Sequence, residues 1–360
     1  MRVAIYGLPC AGKSTLISKM GLAVHPYGAE EDAVAERRFA FPSENGFDIV
    51  FMEQDAECFD VFAYLDTAPE IILERLGQSD EHRPYRDMTA EGIEAWRDFE
   101  VSSLRSECFA RGKEFIILDP RFDCILEFLE GLLDGTILTS PEVSRMAADR
   151  ILGSTDKHTI VLCDGDRTLA DIDLTLSLDL PVLLDLRDAF YGDRYTTFQF
   201  WMVYKLYGTL PQLDEKIREA ADKVPLNKPL LDDLSRIDSY RVVITAGLED
   251  LWSLAIEKTD AFSMAIGTDA GAVRNISQFA KGYIARYLRE AGREVIALGD
   301  NMVDYRMLLE ADRGYVIAHL KKNAPLQSAV LNGSKLKQPS SNEIKFEGVE
   351  EVRSIYEDSD

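Results

Sequence analysis

Cations are scarce in this chain. It carries 40 Lys and Arg against 63 Asp and Glu, for a net charge of −23. Phosphate backbones and anionic membranes are bound through a surplus of cations. The composition therefore argues against a nucleic-acid polymer or a membrane as the main partner, while leaving room for a local basic groove. Cysteine is sparse too. Cys10, Cys58, Cys108, Cys124 and Cys163 stand without C-x-x-C spacing, the pattern of free thiols in a reducing cytoplasm rather than of a disulfide framework or a zinc site. No apolar run approaches the roughly 18–20 residues of a membrane span. The chain enters a strand pattern at Val3, so we expect no signal peptide and a cytoplasmic protein. There is no internal repeat and no low-complexity tract. What remains is ordinary for a globular protein: 360 residues, 46% hydrophobic and 29% charged, enough for two domains.

The pattern that organises the first half is Gly7-Leu8-Pro9-Cys10-Ala11-Gly12-Lys13-Ser14-Thr15. It satisfies G-x-x-x-x-G-K-[ST] and sits between an apolar run, Val3 to Tyr6, and a segment able to open a helix, Leu16 to Met20. That is the strand–loop–helix setting in which such a loop cradles phosphate. Gly7 and Gly12 let the backbone turn its N–H groups inward. Lys13 is expected to reach the β- and γ-phosphates of ATP, and Ser14, followed by Thr15, to help hold Mg²⁺.

Downstream, strand and helix patterns alternate. Residues 21–25 read as a strand, 29–41 as a helix with an acidic start, 48–52 as a buried strand, and 58–66 as another. Pro69 opens a helix, a second long helix runs from about 89 to 111, and 114–119 is a further strand. Such alternation predicts a doubly wound parallel sheet with its ligand at the strand carboxyl ends. The order resembles the small P-loop kinases, the nucleoside, nucleotide and shikimate kinases, over about residues 1–135. Tyr64-Leu65-Asp66-Thr67-Ala68-Pro69 followed by Glu74-Arg75 is similar to the segment before their lid, and His82-Arg83-Pro84-Tyr85-Arg86 is similar to the lid itself. The resemblance implies that Arg83 and Arg86 act on the transferring phosphoryl group; Arg75 is equally placed to pair with a carboxylate. The carboxylate that orients Mg²⁺ or deprotonates the acceptor has no standard D-x-D or D-R-[YS] signature here; Glu53 and Asp55 are the candidates.

In the second half an apolar strand, Thr159 to Cys163, runs into Asp164-Gly165-Asp166-Arg167-Thr168. Another, Arg241 to Ile244, ends in Thr245; Lys281 lies in Phe279-Ala280-Lys281-Gly282; and Glu294 to Leu298 runs into Gly299-Asp300-Asn301-Met302-Val303-Asp304. These four pieces, in this order, resemble the four motifs of the haloacid-dehalogenase (HAD) phosphatases over about residues 158–330. The resemblance implies that Asp164 is a nucleophile forming an aspartyl-phosphate, that Asp166 is a general acid and then base, that Thr245 hydrogen-bonds phosphoryl oxygens, and that Lys281 neutralises charge. Asp164, Asp166, Asp300 and Asp304 are the expected Mg²⁺ shell of this half, with Ser14 its counterpart in the other. Arg167 departs from the Gly or Ser usual at its place, and either narrows the entrance or adds a phosphate contact.

The span from Asp164 to Thr245 has room for an inserted helical cap, about 172–238, as in the phosphoserine-phosphatase branch. Phe190, Tyr191, Tyr195, Phe198, Phe200, Trp201, Tyr204 and Tyr207 cluster there, as cap core or as a base-stacking pocket. Arg187, Arg194 and Lys205 are candidates for meeting an anionic substrate. The expected organisation is a P-loop NTPase-type kinase domain at 1–135, a linker helix at 136–157, a HAD domain at 158–335, and a C-terminal strand, helix and tail at 336–360. Together these imply a bifunctional α/β enzyme, a kinase using ATP and Mg²⁺ fused to a Mg²⁺-dependent phosphatase, acting on small phosphorylated metabolites with nucleosides or nucleotides first. Two rivals stay open: an enzyme that heals polynucleotide ends, which has the same domain order, and a phosphatase with a regulatory nucleotide-sensing loop.

Overall fold

Val3-Ala4-Ile5-Tyr6, Phe62-Ala63-Tyr64 and Phe115-Ile116-Ile117 are apolar at every position, not at every second one. A strand reads this way when both faces of its sheet are covered. In the computed structural model, which describes residues 1–22, 32–44, 46–50, 53–78, 85–174, 178, 190, 194–317 and 349–351, these runs are strands with almost no exposed surface. The chain divides into two units, Met1–Thr139 and Ser140–Asp360, each a mixed α/β structure on a parallel sheet.

The first unit runs β1 (Val3–Tyr6), α1 (Lys13–Lys19), β2 (Val34–Glu36), β3 (Ala40–Ser43), β4 (Gly46–Ile49), α2 (Glu53–Cys58), β5 (Val61–Leu65), α3 (Pro69–Gln78), α4 (Ala90–Ala110), β6 (Glu114–Leu118) and α5 (Ile125–Asp134). Its sheet has the order β2-β1-β5-β6, parallel throughout, and β3 and β4 form a separate antiparallel hairpin. The glycine loop thus leaves β1 between two neighbouring strand ends.

Three expectations fail here. Residues 34–36 and 40–43 are strands, not parts of a helix over 29–41; pairing with β1 overrides the helix-like acidic start at Glu30-Glu31-Asp32. The apolar run expected as a buried strand at 48–52 begins instead as the exposed half of the hairpin, with Ile49 59% exposed. The strand expected over 58–66 begins only at Val61, because Cys58 closes a helix. Most of the strand expected at 21–25 lies outside the described residues.

The second unit continues with α6 (Ser140–Ser154), β7 (Thr159–Cys163), α7 (Thr197–Tyr207), α8 (Leu213–Lys223), α9 (Lys228–Ser235), β8 (Tyr240–Leu248), α10 (Glu249–Ile256), β9 (Met264–Thr268), α11 (Gln278–Glu290), β10 (Glu294–Gly299), α12 (Tyr305–Glu310), β11 (Arg313–Ile317) and β12 (Val349–Glu351). The six-stranded order is β12-β11-β10-β7-β8-β9, with only β12 antiparallel. Ile160, Val161 and Leu162 of the central strand are fully buried, each worth about 1.5–3 kcal/mol relative to exposure. The helix expected as a linker is tied into this unit: Ser140 Oγ lies 2.7 Å from Ser277 Oγ, and Ser144 Oγ donates to the Ala280 carbonyl at 2.9 Å. At the far end, Val349–Glu351 pairs with β11 as a strand where a closing helix was expected. The strand expected before that helix in the 336–360 segment lies outside the described residues.

Candidate active site

In the second unit, β7 lies between β10 and β8, so the carboxyl ends of three adjacent strands converge. This is the edge at which parallel sheets hold ligands. It brings together Asp164, one residue past β7, Asp300, one past β10, and Thr245 on β8. The backbone N–H of Asp164 donates to the Leu298 carbonyl at 2.9 Å, fixing the start of its loop on the neighbouring strand. Lys281 comes from α11, whose first turn is capped by Ser277 Oγ accepting from the Ala280 N–H at 3.2 Å.

Lys281 Nζ donates to Asp164 Oδ1 at 2.5 Å and to Asp304 Oδ1 at 2.6 Å, with all three side chains buried. Asp304 uses its other oxygen to accept the N–H groups of Asp300 (3.0 Å) and Asn301 (3.2 Å). The carboxylate occupies the space over Gly299: a Cβ there would fall 2.4 Å from Asp304 Cβ and 2.6 Å from its Oδ2. Gly299 is therefore required by close approach, and Asp304 reads as the buttress that sets both the loop and the lysine.

Asp164, Asp300 and Asp304 each place an oxygen within 4.8 Å of the others. Asp166 is not part of that cluster. Its Oδ1 accepts the Leu174 N–H at 2.7 Å, and its Oδ2 accepts from Thr245 Oγ1 at 3.3 Å. Thr245 Oγ1 in turn accepts the Gly247 N–H at 2.8 Å. Burial, reinforced by Asp304, raises the Asp164 carboxyl well above the usual range. Burial, then Asp173, pushes Asp166 up to about 7; burial, then Asp304, pushes Asp300 up to about 7. Burial pulls the Lys281 ammonium down, but Asp164 and Asp304 outweigh it and leave its pKa raised. Two of the four carboxylates, Asp164 and Asp304, share the Lys281 ammonium, and Asp164 Oδ2 is buried with no hydrogen-bond partner. A hard divalent cation that prefers oxygen ligands fits that excess of negative charge.

Arg167, with φ +61°, turns its guanidinium to Asp173 at 3.3 Å, its side chain 41% exposed. Asp173 was not foreseen. Of the aromatics expected in a cap, Phe198, Phe200, Trp201, Tyr204 and Tyr207 are buried, and Phe198–Trp201 and Tyr204–Tyr207 stack at 6.3 and 5.2 Å. They pack as core. Lys205 lies over the Trp201 ring at 5.0 Å and Arg194 is half-buried; Arg187 and Tyr191 lie outside the described residues.

In the first unit, Gly7 and Gly12 have φ of 143° and 103°, values that favour glycine. Lys13 Nζ is buried and donates to the carbonyls of Gly7 (2.8 Å) and Leu8 (3.1 Å); desolvation lowers its pKa. Ser14 Oγ donates to Glu36 Oε2 at 2.6 Å, and Glu36 Oε1 lies 3.6 Å from Lys13 Nζ. Thr15 is exposed. Glu36, at the end of the strand beside β1, is thus the carboxylate at the loop, and the sequence reading missed it inside a supposed helix. Asp55 instead accepts from the Tyr6 hydroxyl (2.9 Å) and from Arg37 Nε (3.0 Å), which removes it from the loop; nothing is described of the Glu53 side chain. A cavity of about 630 Å³ lies over the loop, with Arg38 and Arg75 among its lining residues. Arg75 donates to the carbonyls of Cys10 (2.9 Å) and Ala11 (3.3 Å). Arg86 is half-buried and is not in that lining, and Arg83 lies outside the described residues. Among the described residues no helix is long and apolar enough to cross a membrane.

No family model matches the sequence, and no curated protein matches it. Among solved structures, the chain is similar to a phospho-aspartyl intermediate analogue of phosphoserine phosphatase, at 18% identity over 43% of this chain and 84% of that one, with a TM-score of 0.36. It is similar also to a HAD family hydrolase from Salmonella enterica serovar Typhi, at 15% identity over 48% and 70%, with a TM-score of 0.37. A third is a cytosolic 5'-nucleotidase IIIB bound to cytidine, at 12% identity over 47% and 74%, with a TM-score of 0.24.

Proposed function

We propose that the second unit is a Mg²⁺-dependent phosphomonoester hydrolase of the HAD type that works through an aspartyl-phosphate on Asp164. The observation that carries this reading is the buried bridge Asp164–Lys281–Asp304, with Asp300 alongside and Asp164 Oδ2 left without a partner. Lys281 holds one oxygen of Asp164 and leaves the other for phosphorus. As that bond forms, the ester oxygen departs and takes a proton from Asp166, whose pKa near 7 lets it serve as acid and later as base for water. Thr245 and the Leu174 N–H fix the orientation of Asp166. Asp164, Asp300 and Asp304 are the residues to hold Mg²⁺, which supplies charge neutralisation for the approaching phosphate dianion. The test is a screen of the purified chain with Mg²⁺ over nucleoside monophosphates, sugar phosphates, phosphoserine and 3′-phosphorylated oligonucleotides. Phosphate release that Asp164→Asn abolishes is expected; release that survives in Asp164→Asn refutes the assignment.

For the first unit we read an ATP·Mg²⁺-dependent kinase with a small acceptor, a nucleoside or nucleotide first. The contacts of Ser14 and Lys13 with Glu36 at the mouth of the glycine loop support it. The net charge of −23 weighs against a polynucleotide end as acceptor. Turnover of ATP to ADP that depends on an added acceptor is expected; ATP binding with no turnover makes the unit a nucleotide sensor.

A further inference from the structure

Between Asp164 and Asp166 the loop after β7 passes over an aromatic ring. A Cβ built on Gly165 would fall 2.6 Å from Cζ2 of Trp252, 2.8 Å from its Nε1, and closer still to Cε2. The Gly165 backbone is not in the left-handed region, so space rather than conformation calls for glycine there. Trp252 is fully buried in α10, the helix that follows β8 directly. One continuous run of chain thus brings Thr245 to the loop from the strand end and Trp252 from the first turn of the helix.

The atoms that meet Gly165 belong to the N–H edge of the indole. That N–H is buried and has no other acceptor among the described residues. It bonds the Asp166 carboxyl, loosely enough to miss strict hydrogen-bond geometry, and favours the charged carboxylate. A ring without an N–H would fill the same space without burying a donor, so packing alone explains a phenylalanine here better than a tryptophan. Asp166 therefore takes donors from three directions. The Leu174 N–H comes from the loop, the Thr245 hydroxyl from β8 and the Trp252 N–H from α10. The Asp166 residue is only half-buried, which leaves an edge of the carboxyl for a substrate oxygen.

We propose that Trp252 is a positioning residue of the phosphatase, its indole N–H holding the Asp166 carboxyl where it gives a proton to the departing oxygen and then takes one from water. The proposal rests on the reading of the second unit as a phosphatase that works through an aspartyl-phosphate. In the first step Asp164 Oδ2 bonds to phosphorus and the bond from phosphorus to the ester oxygen breaks. That oxygen keeps the electron pair and takes the Asp166 proton. In the second step a water oxygen bonds to phosphorus and its proton passes to Asp166. The bond from phosphorus to Oδ2 breaks, Asp164 recovers its electron pair, and Asp166 ends protonated as it began. The Trp252 bond strengthens as Asp166 becomes charged, so it favours the first transfer and keeps the carboxylate aimed for the second.

The test uses the full chain with Mg²⁺ and three probes: phenyl phosphate, p-nitrophenyl phosphate and ³²P-labelled acetyl phosphate. Two variants remove the N–H. Trp252→Phe keeps one ring, and 3-benzothienylalanine in place of Trp252 keeps the bicyclic shape with sulfur where the N–H was; the second decides the matter if the first misfolds. Each is expected to lower kcat/KM on phenyl phosphate about 10–100-fold, the worth of one hydrogen bond to a charged group. On p-nitrophenyl phosphate, whose leaving oxygen needs little help from a proton, kcat/KM should stay within about threefold of wild type. Acetyl phosphate should leave more label on Asp164 than in wild type, because hydrolysis of the intermediate is slowed. In an Asp166→Asn background the same change should cost less than about twofold, since the N–H then has no catalytic carboxyl to hold. An equal loss on the two aryl phosphates, unchanged rates in the benzothienyl protein, or the same fold loss with and without the Asp166 carboxyl overturns the assignment and leaves the phosphatase reading intact. Phosphate release that survives Asp164→Asn, or no release by the wild type from any of the three probes, overturns the phosphatase reading itself.

Discussion

Replacing Lys281 with methionine removes the one ammonium shared by Asp164 and Asp304 while preserving much of the side-chain volume. Both contacts are short and all three groups are buried, so solvent cannot replace what is lost. Removing one partner of a buried ion pair costs about 3–5 kcal/mol, because the remaining charge stays uncompensated. For a unit of this size 1 kcal/mol shifts Tm by about 2–4 °C. Lys281→Met should therefore lower the melting temperature of the second unit by about 6–20 °C at pH 7. The loss should shrink as the pH falls below 7, because the Asp164 carboxyl, already raised by burial, takes up a proton, and saturating Mg²⁺ should recover part of it. Calorimetry with and without Mg²⁺ reads all three effects. A Tm within about 2 °C of wild type at pH 7 in the absence of Mg²⁺ would refute the argument that these charges are buried and mutually dependent.

Other consequences can be checked independently. Gly299→Ala places a methyl group where the Asp304 carboxylate lies and should cost about 1–3 kcal/mol, with phosphatase activity falling further than stability; a fully active variant would contradict the packing. Glu36→Gln should weaken the contacts that hold Ser14 and Lys13 and lower ATP turnover at least tenfold, read by ADP release. The first unit should lose stability as pH rises from about 4.5 to 7, because Glu100 is then ionised in the unfolded chain but still protonated in the fold. The full effect is on the order of 3 kcal/mol, visible in urea midpoints across pH and absent in Glu100→Gln.

Much of this architecture is legible in the residues because central parallel strands declare themselves. Ile160 to Cys163, Val242 to Ile244 and Val295 to Leu298 are unbroken apolar runs followed by polar residues. A parallel sheet turns those followers into neighbours, so Asp164, Thr245 and Asp300 could be named before their distances were known. Lys281 could be placed beside them only through the order of motifs, since α11 alone gives a lysine on a mostly buried helix no distinction. Glu36 was hidden for a physical reason. Its strand is three residues long, too short for a periodic signal, and Glu30-Glu31-Asp32 just before it imitate a helix start. Glu100 was hidden by the opposite rule, that a glutamate on an amphipathic helix faces water; here it faces inward. The edge strand Val349–Glu351 carries two glutamates and shows no strand pattern, and it is specified by its partner β11.

Whether Asp164 accepts the phosphoryl group decides what the second unit does. The direct measurement is an acid-quenched reaction of the whole chain with ³²P-labelled acetyl phosphate and Mg²⁺, followed by peptide mapping of hydroxylamine-labile label. Label confined to the peptide containing Asp164, absent in Asp164→Asn and accumulating in Asp166→Asn because the second step is slowed, is the predicted result. Phosphate release that persists in Asp164→Asn, with no acyl-phosphate label at that position in the wild type, would contradict it.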